Sequence, residues 1–219
     1  MWRLTESNSN RLPAALTALF QEGEICNVHC LVLGKADSFA IVYERKESSG
    51  VYISSQLSSQ RQPLPTDLSP GCCDLPQTLQ KWLLEKDASG NAQRNLQKLK
   101  ISLGPYNESY FATDGTSTRW LNLPTGLGQA LENRRKPGGG WTAEPRLVAL
   151  GTMSNYIMIT DNNGGNWSLP NYKELDAIID VIKDMEGGLG LIHVSLPFPS
   201  ELEPDALTLY RIWFLTRTA

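Results

Sequence analysis

Residues 99–135 read LKISLGPYNESYFATDGTSTRWLNLPTGLGQALENRR, and residues 146–184 read RLVALGTMSNYIMITDNNGGNWSLPNYKELDAIIDVIKD. Both stretches pass from an apolar strand ending in Leu-Gly to a second strand ending in Asp. A Gly-containing turn, a Trp, a Leu-Pro and a helix with an apolar stripe follow in both. Two landmarks share a spacing of 47 residues, Leu103 with Leu150 and Trp120 with Trp167. This shared period identifies an internal repeat.

Two further copies precede and follow this pair. CLVLGKADSFAIVYERKESSGVYISSQL, from Cys30, supplies three strands, and LPQTLQKWLLEK, from Leu75, supplies a helix. The Ser-, Pro- and Gln-rich stretch Ser58–Asp74 between them is expected to be a surface loop. The last copy is divided between the chain ends. GLIHVSLP and YRIWFLTRT near the C-terminus resemble the first two strands, while MWRL and LPAALTALFQEG at the N-terminus supply the third strand and the helix.

The repeats predict a mainly β fold with helices. We expect a four-bladed β-propeller-like ring of β-β-β-α repeats, closed where N- and C-terminal strands share one blade. Neighbouring blades would cover the sheet faces that one repeat cannot bury alone. An open sheet or a two-domain α+β fold would use the same elements but leaves the divided copy unexplained. Residues 1–219 then form a single domain, in which repeats 1 to 4 span 26–86, 98–136, 145–185, and 189–219 plus 1–23.

The pattern LG-x-SYF-x-DG-x-W-x-LP-x-L resembles a repeat of uncharacterised fungal proteins, most clearly across Leu99–Asp184. That resemblance implies no established activity, so it assigns no functional residue. In size and blade number, the expected architecture is similar to hemopexin-type four-bladed β-propellers. Their own repeat motif does not occur in this chain, and haem or metal binding therefore does not follow from the likeness.

Composition narrows the classes of partner. The chain has 219 residues, 41% of them hydrophobic, and 20 basic against 23 acidic side chains give a net charge of −3. This balance offers no electrostatic reason to expect a nucleic acid. The apolar runs are shorter than the ~20 residues of a membrane span, and no secretory signal is visible at the N-terminus. We expect a cytoplasmic protein whose partner is a small molecule or another protein.

The cysteines and motifs point to no cofactor. Cys26, Cys30, Cys72 and Cys73 are expected to be free thiols. Adjacent Cys72 and Cys73 fit poorly with the spaced pairs that bind zinc, so we expect no metal site. The chain also has no G-x-S-x-G, P-loop or H-E-x-x-H motif.

One set of residues could nevertheless carry catalysis. When the first strands are aligned on Leu-Gly, Cys30, Lys100 and His193 occupy the same position. If these strands line a channel, a thiol, an amine and an imidazole would meet there as a nucleophile-and-base set. Alternatively, the three side chains lie between blades and only form hydrogen bonds.

Three tryptophans are candidate ligand-binding residues. Trp120 and Trp167 recur at one repeat position, and Trp141 follows a Gly run on a loop. Such a recurring ring is either a platform for ligands, as in sugar-binding sites, or a packing pivot between blade and helix. The basic run at residues 134–136 suits the dipole at a helix end and is too short for a nucleic-acid patch.

The sequence thus leaves three functions open. The first is a binding or interaction module whose loops recognise a protein or a small ligand. The second is a metal-independent enzyme of the cyclase or isomerase type, with a pocket at the propeller axis that holds a small organic molecule. The third is a lectin-like carbohydrate-binding protein, although the degraded first repeat argues against four equivalent sugar sites.

Overall fold

The computed structural model describes residues 14–33, 39–46, 51–55, 75–106, 108–185, 187–196 and 211–214. Within these ranges the structure is a mixed β fold with helices, which confirms the predicted combination of strands and helices. The strands are β1 Ile25–Leu33, β2 Phe39–Arg45, β3 Val51–Ser55, β4 Lys100–Leu103, β5 Tyr110–Thr113, β6 Thr118–Leu121, β7 Pro145–Leu150, β8 Tyr156–Thr160, β9 Gly165–Ser168, β10 Ile192–Ser195 and β11 Arg211–Phe214. The helices are α1 Ala14–Gln21, α2 Gln77–Leu84, α3 Thr125–Glu132 and α4 Lys173–Ile182. None of these helices is long and apolar enough to cross a membrane.

The strands form small separate sheets. Three sheets have three strands each, in the orders β1-β2-β3, β4-β5-β6 and β7-β8-β9, and each is followed by a helix. β10 pairs with β11 in antiparallel fashion, with His193 opposite Trp213. Met1–Leu4, the predicted third strand of that last sheet, lies outside the described residues, as do Cys72 and Cys73.

The Leu-Pro landmarks lie just before helices. Pro76 and Pro124 occupy the position immediately before α2 and α3, both with φ of −49°. Because proline has no N–H to donate, it loses no hydrogen bond at this position. Before α4, Pro170 comes earlier and Tyr172 takes the position next to the helix. The landmark therefore marks the approach to a helix and not its first residue.

The chain divides into two compact units. The first comprises Met1–Ile101 and Ala112–Arg119, and the second comprises Ser102–Phe111 and Trp120–Ala219. In the first unit, α1 packs on β2. The buried side chains of this contact are Leu16, Phe39, Ile41 and Tyr43.

In the second unit, the β7-β8-β9 sheet is covered on both faces. Successive side chains of a strand point to opposite faces, so each strand contributes to two apolar clusters. One cluster contains Leu147 and Ile159 and is completed by α4 and by Val194 of β10. The other contains Val148 and Met158 and is completed by α3 of the preceding repeat. Burial on both faces explains why β8, with sequence YIMIT, shows no polar alternation.

Candidate functional site

The predicted catalytic residues lie on three first strands. Cys30 lies in β1 and is partly buried, and Lys100 begins β4 with an exposed side chain. Both belong to the first compact unit. His193 lies in β10, in the second compact unit, and the described part of this residue is its backbone. The grouping of the three side chains stays a prediction.

The surroundings of Cys30 favour the neutral thiol. Burial raises the pKa of Cys30, and a hydrogen bond from the backbone of Ile101 offsets only part of that rise. Nucleophilic cysteines need the reverse, because the thiolate is the reactive form and is favoured by a lowered pKa. Cys30 therefore lacks the usual sign of an activated nucleophile.

The metal-ligating residue types near β1 are engaged with one another. Cys26 Sγ donates to the backbone oxygen of Glu44, and His29 Nε2 lies 2.8 Å from Glu44 Oε1. Within the described ranges, no three His, Cys, Asp or Glu side chains are grouped so that they could hold a metal ion.

The structure brings two of the predicted tryptophans together. Trp120 in β6 and Trp141 in the loop after α3 have ring centroids 6.4 Å apart, with 41° between the ring planes. The guanidinium carbon of Arg135 lies 5.2 Å from the Trp120 centroid and 5.8 Å from that of Trp141. Both distances are within the range of cation–π attraction. We call Trp120, Trp141 and Arg135 the Trp–Arg surface.

The loop between Arg135 and Trp141 makes this arrangement possible. The two residues face each other in an antiparallel β-bridge just beyond α3. Between them, Gly139 and Gly140 have φ of 90° and 73°, a region that side-chain-bearing residues rarely adopt. The Pro-Gly-Gly-Gly segment thus reverses the chain and returns Trp141 to the end of the helix.

The Trp–Arg surface has one apolar side and one open side. Both rings pack against the buried cluster that contains Leu131 of α3, yet each remains partly exposed. Arg135 is exposed, and among the described residues its guanidinium has no hydrogen-bond acceptor or carboxylate partner. A guanidinium carries five N–H donors. This site therefore has unused donors beside two rings.

Trp167 occupies a different environment. It lies in β9 and packs against the other cluster of the second unit, the one completed by α4. Its Nε1–H donates to Asp176 Oδ1 at 3.0 Å, and Lys183 Nζ lies 5.9 Å from its ring centroid. Lys183 in turn pairs with Asp180 at 2.8 Å. These contacts hold the ring of Trp167 against α4, as expected for a residue that packs a sheet on a helix. A ligand role for Trp167 stays a prediction.

A third cation that lies over a tryptophan belongs to the first unit. The guanidinium carbon of Arg94 lies 4.7 Å from the ring centroid of Trp82 in α2. Arg94 pairs with Glu85 and lies 3.5 Å from Asp114. Its other donors reach the backbone oxygen of Trp82 and the hydroxyl of Ser117. With these partners, Arg94 links α2 to the β5–β6 turn, and we assign it a structural role.

In the sequence, Arg135 is part of the basic run at residues 134–136, but no contact between any of these cations and a tryptophan was predicted. The spacing from tryptophan to cation could have identified two of these cations, because Arg135 follows Trp120 by 15 residues and Lys183 follows Trp167 by 16. A basic residue thus follows the recurring tryptophan at nearly the same distance in repeats 2 and 3. Arg94 offers no such signal, because it lies between repeats.

No known protein family, curated protein or solved structure matches this chain. A function for this chain must therefore be inferred from the contacts of its own residues. Three cations described above lie over tryptophans. Among them, Arg135 of the Trp–Arg surface is the one that combines partly exposed rings with donors that have no acceptor among the described residues.

Proposed function

We propose that this protein is a non-catalytic binding or interaction module, and that its ligand contacts the Trp–Arg surface. The observation that carries this proposal is the pair of partly exposed, tilted indole rings with an exposed guanidinium over both. Tryptophan and arginine are enriched in binding hot spots, because they combine a large apolar area with well-placed donors. A loop at the end of a helix is also a common position for recognition residues.

We infer that a closed ring of four repeats supports this surface. Three contacts between first strands favour the ring. In the first unit, the backbone of Ile101 in β4 lies close enough to the Cys30 thiol in β1 to oppose the rise in its pKa. In the second unit, Ser102 Oγ of β4 donates to the backbone oxygen of Val148 in β7, and β7 contacts β10. Successive first strands are neighbours in each case, as a propeller requires.

Fluorine NMR of protein labelled with 5-fluorotryptophan would test the binding function. The six tryptophans give six signals, which single Trp→Phe variants assign. We expect at least one class of ligand, from a panel of oligosaccharides, peptides and small organic acids and bases, to shift the signals of Trp120 and Trp141 in a saturable way. Buried Trp82 is the internal control and should not move. A panel that leaves the signals of Trp120 and Trp141 in place contradicts the proposal.

The same panel separates the alternative functions. An oligosaccharide that shifts Trp120 and Trp167 equally would favour the lectin-like function. Consumption of a small organic molecule, abolished in His193→Ala with the fold retained, would favour the enzyme. For the binding module we expect shifts without consumption of the ligand.

A further inference from the structure

We propose that the Trp–Arg surface binds a carboxylate of an acidic protein segment through the exposed edge of the Arg135 guanidinium. This inference rests on the proposed function, because it names the ligand class of the same surface. It follows from a comparison of Arg135 with the other cations that lie over aromatic rings in this chain.

Three other cations that lie over aromatic rings each have a carboxylate from the same chain. Arg94 over Trp82 pairs with Glu85 and Asp114, and Lys183 over Trp167 pairs with Asp180. Arg45, over the ring of Tyr43, lies 3.4 Å from a carboxylate oxygen of Glu24. Each cation is therefore held between a ring and an anion.

Arg135 has the rings but not the anion. Glu132 precedes it by three residues, as Asp180 precedes Lys183 in repeat 3. The backbone oxygen of Glu132 accepts from the backbone N–H of Arg135, but in the described structure the two side chains form no ion pair. Glu132 thus stands at the place of Asp180, but its carboxylate does not pair with Arg135. A carboxylate from another molecule would complete the same arrangement.

The geometry of Arg135 suits this role. Arg135 is exposed over the two rings, and its N–H groups have no acceptor among the described residues, so they are available to an acceptor from another molecule. Paired N–H groups of arginine match the two oxygens of a carboxylate. Because the rings already restrain the side chain, binding costs less conformational entropy than it would for a free arginine.

The loop beside Arg135 favours a protein segment over a small acid. Lys136 is exposed and would attract a second acidic side chain. Gly138 does not have a positive φ, and no atom lies within 4 Å of the position that a Cβ would occupy. No contact within the described chain therefore requires glycine there, whereas the absence of a side chain lets an extended backbone come close. The basic run at residues 134–136 is too short to bind the phosphate backbone of a nucleic acid, which disfavours a nucleic acid as the source of the anion.

Titration of the fluorotryptophan-labelled protein with a blocked peptide of alternating glutamate and glycine tests the proposal. We expect saturable shifts of Trp120 and Trp141, and at least ~10-fold weaker binding of the matched glutamine peptide. Raising the salt concentration should weaken the binding of the glutamate peptide, because the contact is exposed. Arg135→Gln should lower affinity ~10-fold or more. Arg135→Lys keeps the charge but loses the paired donors. Its affinity for the glutamate peptide should therefore lie between that of the parent protein and that of Arg135→Gln.

Lys183→Gln is the matched control, because it removes a cation from a tryptophan whose carboxylate partner is already present. Its affinity for the glutamate peptide should equal that of the parent protein. Far-ultraviolet circular dichroism and the Tm of each variant establish that the fold is retained.

Three outcomes would overturn the proposal, and they have different consequences. Equal shifts of Trp120 and Trp141 by the glutamate and glutamine peptides, or full affinity in Arg135→Gln, would leave the binding surface in place but remove the carboxylate. Tighter binding of a phosphoserine peptide, or displacement of the glutamate peptide by inorganic phosphate at similar concentration, would assign the surface to phosphate. Peptide-induced shifts confined to other tryptophans would overturn both this inference and the proposed function.

Discussion

Asp114 shows how one residue can make part of the stability depend on pH. Its side chain is fully buried beside Arg94, and it accepts hydrogen bonds from the backbone of Ser117 and from Thr116. Burial by itself would raise the pKa of Asp114, but the hydrogen bonds and the charge of Arg94 together lower it. A carboxyl whose pKa is lower in the folded protein stabilises the fold above its unfolded pKa of ~3.9, and this contribution is lost as the pH falls through the folded value.

Asp114→Asn should therefore lower the free energy of unfolding at pH 7 by ~2 kcal/mol, because Arg94 loses a buried charged acceptor. The difference from the parent protein should shrink as the pH falls below ~4. Urea unfolding at pH 7 and at pH 3 measures both values. Asp161→Asn is the control, because exposed Asp161 accepts one backbone hydrogen bond that asparagine can also accept, and a loss below ~0.5 kcal/mol is expected. A difference for Asp114→Asn that is the same at both pH values would contradict this account.

Two cysteines of β1 should differ in reactivity. Cys26 is exposed, whereas Cys30 is partly buried and its pKa is raised by burial. We expect iodoacetamide at pH 8 to alkylate Cys30 at least ~10-fold more slowly than Cys26 in the folded protein, because both access and the thiolate fraction are lower. Peptide mapping by mass spectrometry measures the two rates, and in urea they should become similar. Faster alkylation of Cys30 would indicate an activated thiol and would favour the enzyme.

Helix α3 contains two glycines that differ in the space available for a side chain. A Cβ at Gly126 would lie 2.6 Å from Tyr156 Oη, which donates to Asn166 Oδ1 at 2.7 Å. A Cβ at Gly128 would meet no atom within 4 Å. The first glycine permits close approach of α3 to β8, while the second only adds flexibility to the unfolded chain.

Replacing each glycine by alanine separates these effects. Gly128→Ala should raise the free energy of unfolding by ~0.5–1 kcal/mol, because alanine favours the helix. Gly126→Ala should lower it by ~1–3 kcal/mol, because the methyl group displaces Tyr156 and its hydrogen bond. Both values come from urea unfolding. If Gly126→Ala is as stable as Gly128→Ala, the close approach to Tyr156 does not constrain the helix.

Elements were more predictable from the sequence than contacts between side chains. Leu-Pro landmarks and short β-branched runs indicate the helices and most strands, because these signals are local. The contact between Trp120 and Trp141 was not predictable in the same way, since it depends on a loop that turns back through Gly139 and Gly140. Arg94 is a further example, because its carboxylate partners come from the residue just after α2 and from the β5–β6 turn. Such convergence depends on tertiary structure and leaves no local pattern.

At the scale of the whole molecule, the closed ring is the prediction with the most consequences. It requires Met1–Leu4 to join the sheet that contains β11. Spin labels on Arg3→Cys and Arg211→Cys, in a variant whose native cysteines are replaced by serine, would measure this distance by pulsed electron resonance. Neighbouring strands lie ~4.8 Å apart, so the label distance should be short, even with the linkers added. A distance beyond ~30 Å, about six strand spacings, would contradict the ring.

The two-sided cover of the β7-β8-β9 sheet bears on how such a chain could have arisen. One face of this sheet is covered by the helix of its own repeat and the other by the helix of the preceding repeat. An ancestor with a single repeat would have left one face open to water. A chain of one repeat would therefore need a second copy of itself, or another protein, to cover that apolar face.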